Sequence, residues 1–136
     1  MAYSGFPRVK LWSDALDAFD IDTGPLQRDY FRADKYHLPV SGRFYSDPVL
    51  LRHINILQFS EARSAPHIVD IPPAQAVPML RDNTYRYQYI SALGLTQSHF
   101  LDCVRLARDA GVHILSRPNQ HEALPECQAL VERQMR

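Results

Sequence analysis

Tyrosines occupy positions 85, 87 and 89, and this spacing constrains the fold more than any other feature of the chain. Successive side chains of a β-strand point to opposite faces, so the three rings are predicted to line one face of a strand over residues 84–90. A tyrosine ring is apolar, but its hydroxyl needs a hydrogen-bond partner. We therefore expect this face either to pack under a helix or to form a binding surface.

The length and composition are those of one globular domain. The 136 residues are 46% hydrophobic and 22% charged, a balance typical of folded proteins, and we predict a single domain over 1–136. No stretch approaches the ~18 uninterrupted apolar residues of a membrane span. The first residues lack the basic-then-apolar order of a secretory signal. We therefore expect a soluble, cytoplasmic protein that contacts no membrane.

The charge balance argues against a phosphate-rich partner. The chain has 15 basic and 15 acidic residues, so bulk attraction to nucleic acid is not expected and a nucleic-acid partner is unlikely on these grounds. Lysine occurs only at positions 10 and 35, and arginine supplies the rest of the basic set. Arginine suits protein interfaces, although a high-GC bacterial genome produces the same bias.

Hydrophobic periodicity and turn residues predict an α+β fold. Residues 84–90, a helix over 96–110 and a strand over 112–115 have the order of a strand–helix–strand crossover. We expect a small single-layer mixed sheet covered by helices on one face. The further predicted elements are a helix over 9–19, strands over 52–59 and 67–71, and a helix over 121–134.

Two cysteines and several histidines raise the question of a metal site. His99 and Cys103 are four residues apart and share one face of the predicted helix, and His121 and Cys127 lie near the start of the last helix. Four such ligands suit tetrahedral zinc. The spacing matches no zinc signature, however, and Cys103 also fits the apolar stripe of its helix. We expect no metal.

A hypothesis of enzymatic function depends on a different group of residues. Small metal-free toxins of nuclease or group-transfer type combine histidine for proton transfer with arginine for phosphate. Arg43, Tyr45, Arg52 and His53 supply those residue types, but ordinary surface polar residues and ion pairs are the explanation that we favour. No glycine-rich loop suited to a nucleotide is present, so no cofactor is expected.

The function we predict from the sequence is binding to another protein chain, as an accessory subunit, inhibitor or regulator. Tyrosine and arginine are enriched at the energetic centres of protein interfaces, and Tyr85, Arg86, Tyr87 and Tyr89 are the predicted binding residues. The first alternative is the small metal-free enzyme described above. The second is a nucleic-acid-binding regulator, because aromatic rings beside an arginine also stack on unpaired bases.

Overall fold

The structure, a computed structural model, describes the backbone of residues 1–136 and the side chains of all of them except Arg43. Helices and strands are mixed, and the predicted α+β class is confirmed. The residues group into two compact units, Met1–Leu50 and Leu51–Arg136, which are described separately below, and the single domain predicted from the sequence stays a prediction. Within the described residues, no helix is long and apolar enough to cross a membrane.

The first unit is built on a small antiparallel sheet. Its strands are β1 (Arg8–Trp12), β2 (Gln27–Arg28) and β3 (Lys35–Pro39), in the order β1-β3-β2. Helix α1 (Ser13–Ala18) follows β1 and carries the completely buried Leu16, and a 3-10 turn spans Ser41–Arg43.

The helix predicted over 9–19 is wrong in its first half. Val9 pairs with Leu38 and Leu11 with Tyr36, so residues 8–12 form the edge strand β1 and the helix begins only at Ser13. The segment repeats its apolar residues at a helical period. Hydrogen bonds to β3, which is distant in sequence, override that local pattern.

The second unit contains the mixed sheet. Its strands are β4 (His53–Ser60), β5 (His67–Asp70) and β6 (Gly111–Pro118), in the order β4-β6-β5. β6 runs parallel to β4 and antiparallel to β5. The strands predicted over 52–59, 67–71 and 112–115 are thereby confirmed. The chain therefore has two three-stranded sheets where the sequence predicts one.

Helices cover this mixed sheet. Helices α2 (Pro73–Asp82), α3 (Gln88–Ala92) and α4 (Thr96–Asp109) lie between β5 and β6 in sequence. A 3-10 turn (His121–Ala123) and helix α5 (Leu124–Gln134) follow β6. The helices predicted over 96–110 and 121–134 are confirmed. Gly111 is the first residue of β6.

Two helices pack against one face of the mixed sheet. The buried core joins Ile56 of β4 and Val112 of β6 to Ala76 of α2 and Ala107 of α4. Alanine carries no bulk beyond Cβ, which allows the helices to approach the strands closely. On the opposite face, the side-chain amide of Asn55 donates a hydrogen bond to Gln134 Oε1 of α5 at 2.9 Å.

The strand predicted over 84–90 is wrong. Residues 84–87 form a turn and residues 88–92 form α3. Asn83 Nδ2 donates to the Met79 carbonyl and Thr84 Oγ1 to the Leu80 carbonyl, so both side chains bind the end of α2. Arg86 then takes a positive φ of 56°, which turns the chain. Such local side-chain bonds compete with extended structure and here replace it.

Candidate functional site

The tyrosine turn, which we define as residues Tyr85 to Tyr89, remains at the surface although it is not a strand. Tyr85 is 82% exposed and Tyr89 is 50% exposed. A turn and a helix replace the two-residue repeat of the predicted strand. The predicted partner-binding residues are thus accessible, in a different geometry from the one the sequence suggests.

Arg86 lies between two of these rings. Its Nε donates a hydrogen bond to the Tyr85 hydroxyl at 2.9 Å, and its guanidinium carbon lies 5.2 Å from the Tyr85 ring centroid and 5.9 Å from that of Tyr89. The hydrogen bond to Tyr85 raises the pKa of Arg86 above its usual value. No carboxylate among the described side chains contacts this guanidinium. The result is an exposed cation held by aromatic rings and left without a counter-charge.

Tyr87 connects the turn to α4. Its ring centroid lies 5.8 Å from that of His99, and the Arg81 guanidinium lies 5.8 Å from the same tyrosine ring. His99 is fixed in turn by a 2.9 Å hydrogen bond between its Nε2 and Thr84 Oγ1. The side of α4 that carries His99 therefore lies next to the turn.

Part of the apolar face of α4 is not used by the core. Its buried stripe consists of Cys103 and Ala107. Phe100, Leu101 and Val104, which we call the exposed α4 stripe, follow the helical repeat beside the buried residues and remain largely accessible, with Phe100 54% exposed. Sequence periodicity assigns these side chains to the core, whereas the sheet and α2 cover only the narrower stripe.

A second arrangement of polar residues crosses the mixed sheet, and we call it the histidine row. Asp70 of β5 pairs with His113 of β6 in the ladder, and Asp70 Oδ1 lies 2.6 Å from His113 Nδ1. His113 Nε2 in turn lies 3.1 Å from His53 Nδ1 of β4. The imidazole of His113 is almost completely buried, whereas the Asp70 carboxylate is exposed.

The row has one consistent set of proton positions when Asp70 is ionised and both imidazoles are neutral. Asp70 then only accepts, so His113 donates from Nδ1–H and its Nε2 accepts from His53 Nδ1–H. The lone pair of His53 is then on Nε2. Gly111 makes room for this contact, because a Cβ at that position would lie 2.7 Å from His113 Nε2 and 3.3 Å from His53 Nδ1.

The residues of the predicted enzymatic set are divided between the two units. Tyr45 is an exposed residue of the first unit, and Arg52 precedes β4 in the second. The side chain of Arg43 lies outside the described residues. His53 is the member that the structure places in a polar cluster. Sequence reasoning did not connect His53 with His113 and Asp70. His113 and Asp70 lie in strands that the sequence predicts, and the pairing of those two strands is the signal that could have brought the residues together.

The predicted metal ligands are only partly brought together. His99 Nε2 lies 3.8 Å from Cys103 Sγ. Burial, followed by the charge of Asp102, raises the pKa of the Cys103 thiol, which opposes the thiolate that zinc requires. Among the described residues, no three or more His, Cys, Asp or Glu side chains are grouped so as to hold a metal ion, with His121 and Cys127 included in that search.

The first unit contains a cavity of about 310 Å³. His37 contributes to its wall, and His37 Nε2 lies 3.4 Å from Asp29 Oδ2. Lys10 Nζ donates to the same carboxylate oxygen at 2.5 Å, and this hydrogen bond lowers the pKa of Asp29 to about 2. The ion pair ties β1 to the turn before β3, which makes it a structural feature of this unit.

Comparison of the chain with protein-family models, with curated proteins and with solved structures finds no match in any of the three.

Proposed function

We propose that this protein acts by binding another protein chain through the tyrosine turn and the exposed α4 stripe. One observation carries the proposal: Arg86 is exposed between Tyr85 and Tyr89 and has no carboxylate contact among the described side chains. An arginine flanked by rings is typical of the residues that dominate binding energy at protein interfaces.

The chemistry of this surface defines the partner. Arg86 requires a carboxylate, which a guanidinium binds through two parallel hydrogen bonds. The rings on either side and the nearby apolar stripe require apolar or aromatic groups. The partner we propose is therefore a protein that presents an aspartate or glutamate within an apolar patch.

The energetic scale of such a contact follows from ordinary interface residues. Removing one central aromatic or arginine side chain costs about 2 kcal/mol or more, which corresponds to roughly 30-fold weaker binding. Arg86→Ala and Tyr89→Ala are each expected to weaken binding by at least this factor. The two losses should not add, because the guanidinium and the rings are in contact.

The experiment is affinity purification from the native cells, followed by calorimetry with the captured chain in purified form. Matched controls are available: Arg105→Ala removes an exposed arginine that already pairs with Asp102, and Tyr30→Ala removes an exposed tyrosine of the first unit. The proposal requires the same chain to bind the wild type and both controls but to bind Arg86→Ala and Tyr89→Ala weakly. Equal binding by all five proteins contradicts it.

A second candidate function is acid–base chemistry at His53, and the histidine row is the observation that favours it. With Asp70 and His113 holding its other nitrogen, His53 presents a neutral Nε2 lone pair, which is what a general base needs. In a metal-free nuclease, that atom removes the proton of a ribose 2′-hydroxyl. The oxygen then attacks the adjacent phosphorus and expels the 5′-oxygen, which takes a proton from water.

This candidate is tested with a fluorescent RNA dinucleotide and analysis for a 2′,3′-cyclic phosphate product. His53→Gln should reduce cleavage about 100-fold or more, whereas His67→Gln, which alters an exposed histidine of the same sheet, should leave cleavage unchanged. Cleavage that does not exceed the buffer rate, or that is equal in wild type and His53→Gln, rules this candidate out.

A further inference from the structure

Strand β4 forms an open edge of the mixed sheet, because the strand order is β4-β6-β5. The Gly111 amide donates to the Arg52 carbonyl at 2.8 Å. In a parallel ladder, alternate residues of a strand bond to a given neighbour, so residues 54, 56, 58 and 60 bond to β6. The amides and carbonyls of residues 53, 55, 57 and 59 consequently point away from β6, and no hydrogen bond to them is found among the described residues.

This edge lacks the features that protect the edges of monomeric sheets. Natural edge strands are short, or carry lysine, proline or a bulge that prevents pairing with another chain. β4 is eight residues long and contains no proline, lysine, arginine or acidic residue. Leu57 and Phe59 are 55% and 63% exposed beside the open edge. The other edge, β5, has only four residues and is followed closely by Pro72 and Pro73.

We propose that β4 pairs antiparallel with β4 of a second copy of this chain, with the two-fold axis at Leu57. The occupant is a second copy because the edge is complementary to itself under such an axis, as a symmetric dimer interface requires. Leu57 then faces Leu57 of the second copy, and Asn55 faces Phe59. No pair of like charges meets along the strand, since residues 53–60 have no Lys, Arg, Asp or Glu.

The geometry also sets the strength of the association. Each hydrogen-bonded pair of an antiparallel ladder exchanges two backbone bonds, so the pairs centred on Leu57 supply about six. One strand pair buries less than the ~1,600 Å² of a standard interface. We therefore expect a dissociation constant in the micromolar range, on the order of 10–100 µM. The pairing is independent of the tyrosine turn and goes beyond the proposed function.

Sedimentation equilibrium of the full chain between a few and several hundred micromolar tests the pairing. The wild type should fit a monomer–dimer equilibrium, and Leu57→Lys, which places two ammonium groups at the axis, should raise the dissociation constant at least tenfold. Leu93→Lys is the matched control, because it places the same charge on a leucine that is 67% exposed at the end of α3, outside the β4 edge, and should leave association unchanged. A circular dichroism spectrum confirms that each variant is folded.

A second variant tests the register. Leu57→Cys places two thiols opposite each other with Cα atoms about 5.5 Å apart, within the range that a disulfide spans, so mild oxidation should give a covalent dimer. Phe59→Cys faces Asn55 of the second copy and should cross-link much more slowly. A wild type that stays monomeric at every concentration overturns the proposal. So does a dimer that Leu57→Lys leaves unchanged, or one that Leu93→Lys disrupts equally.

Discussion

Replacement of Gly111 by alanine tests the histidine row directly. The added Cβ would lie 2.7 Å from His113 Nε2, a distance that requires the imidazole to move, and this nitrogen is the atom that lies 3.1 Å from His53 Nδ1. Gly111 does not have a positive φ, so its backbone accepts alanine and the cost arises from the contact alone. Any movement that relieves the contact also lengthens the bond between the two histidines.

Costs at the histidine contact and a gain in the unfolded chain together set the change in the free energy of unfolding that Gly111→Ala causes. A buried nitrogen left without its hydrogen bond costs about 1–3 kcal/mol, and the displaced ring adds strain of a similar order. Alanine recovers about 0.4–1 kcal/mol by restricting the unfolded chain. We expect Gly111→Ala to lower the free energy of unfolding of the second unit by about 1–5 kcal/mol.

A double-mutant cycle separates this contact from a general effect of alanine at position 111. In the His113→Ala background the imidazole is absent, so Gly111→Ala should cost less than about 0.5 kcal/mol. Unfolding is followed in urea by the helical signal at 222 nm, because the only tryptophan, Trp12, reports on the first unit. An unchanged stability of Gly111→Ala, or an equal cost in both backgrounds, refutes the proposed arrangement.

Three further expectations concern single groups. The pKa of Asp29 is lowered from 3.8 to about 2. Its contribution to stability is therefore present above pH 4 and is lost as the pH falls towards 2. The stability of Asp29→Asn should lack this loss between pH 4 and pH 2. Asp70→Asn should change the proton positions on His113, which the imidazole ¹⁵N shifts report, and an unchanged spectrum contradicts the row. Buried Cys103 and Cys127 should react with a thiol reagent far more slowly in the folded protein than in denaturant, and equal rates contradict their burial.

Sequence periodicity predicted the elements that make up the mixed sheet and its main helix. β4, β5, β6 and α4 were all indicated, because apolar residues bounded by turn signals specify such elements locally. β1 was not, since Val9 and Leu11 extend through pairing with β3, a contact that no local pattern contains. The tyrosine turn was predicted as a strand because tyrosines occupy every second position. That pattern does not include the side-chain hydrogen bonds of Asn83 and Thr84 to the end of α2, which favour a turn.

The candidate sites show the same division between local and long-range information. The sequence left open whether the tyrosines pack under a helix or lie at the surface, and the structure exposes Tyr85 and Tyr89. The histidine row did not follow from residue types alone, because Asp70 and His113 are 43 residues apart and meet only through strand register. Helical periodicity assigned Phe100 and Val104 to the core, and how much of that face is covered depends on which elements pack against it.

Site-specific photo-crosslinking in the native cells determines whether the surface around Arg86 and Tyr89 contacts another protein. A benzoylphenylalanine at position 89 should produce one discrete cross-linked species whose mass exceeds that of this chain by a different protein, and Arg86→Ala should remove that species. The same probe at position 109, an exposed residue at the far end of α4, should give none. No cross-link from position 89, or the same product from both positions, would contradict the account.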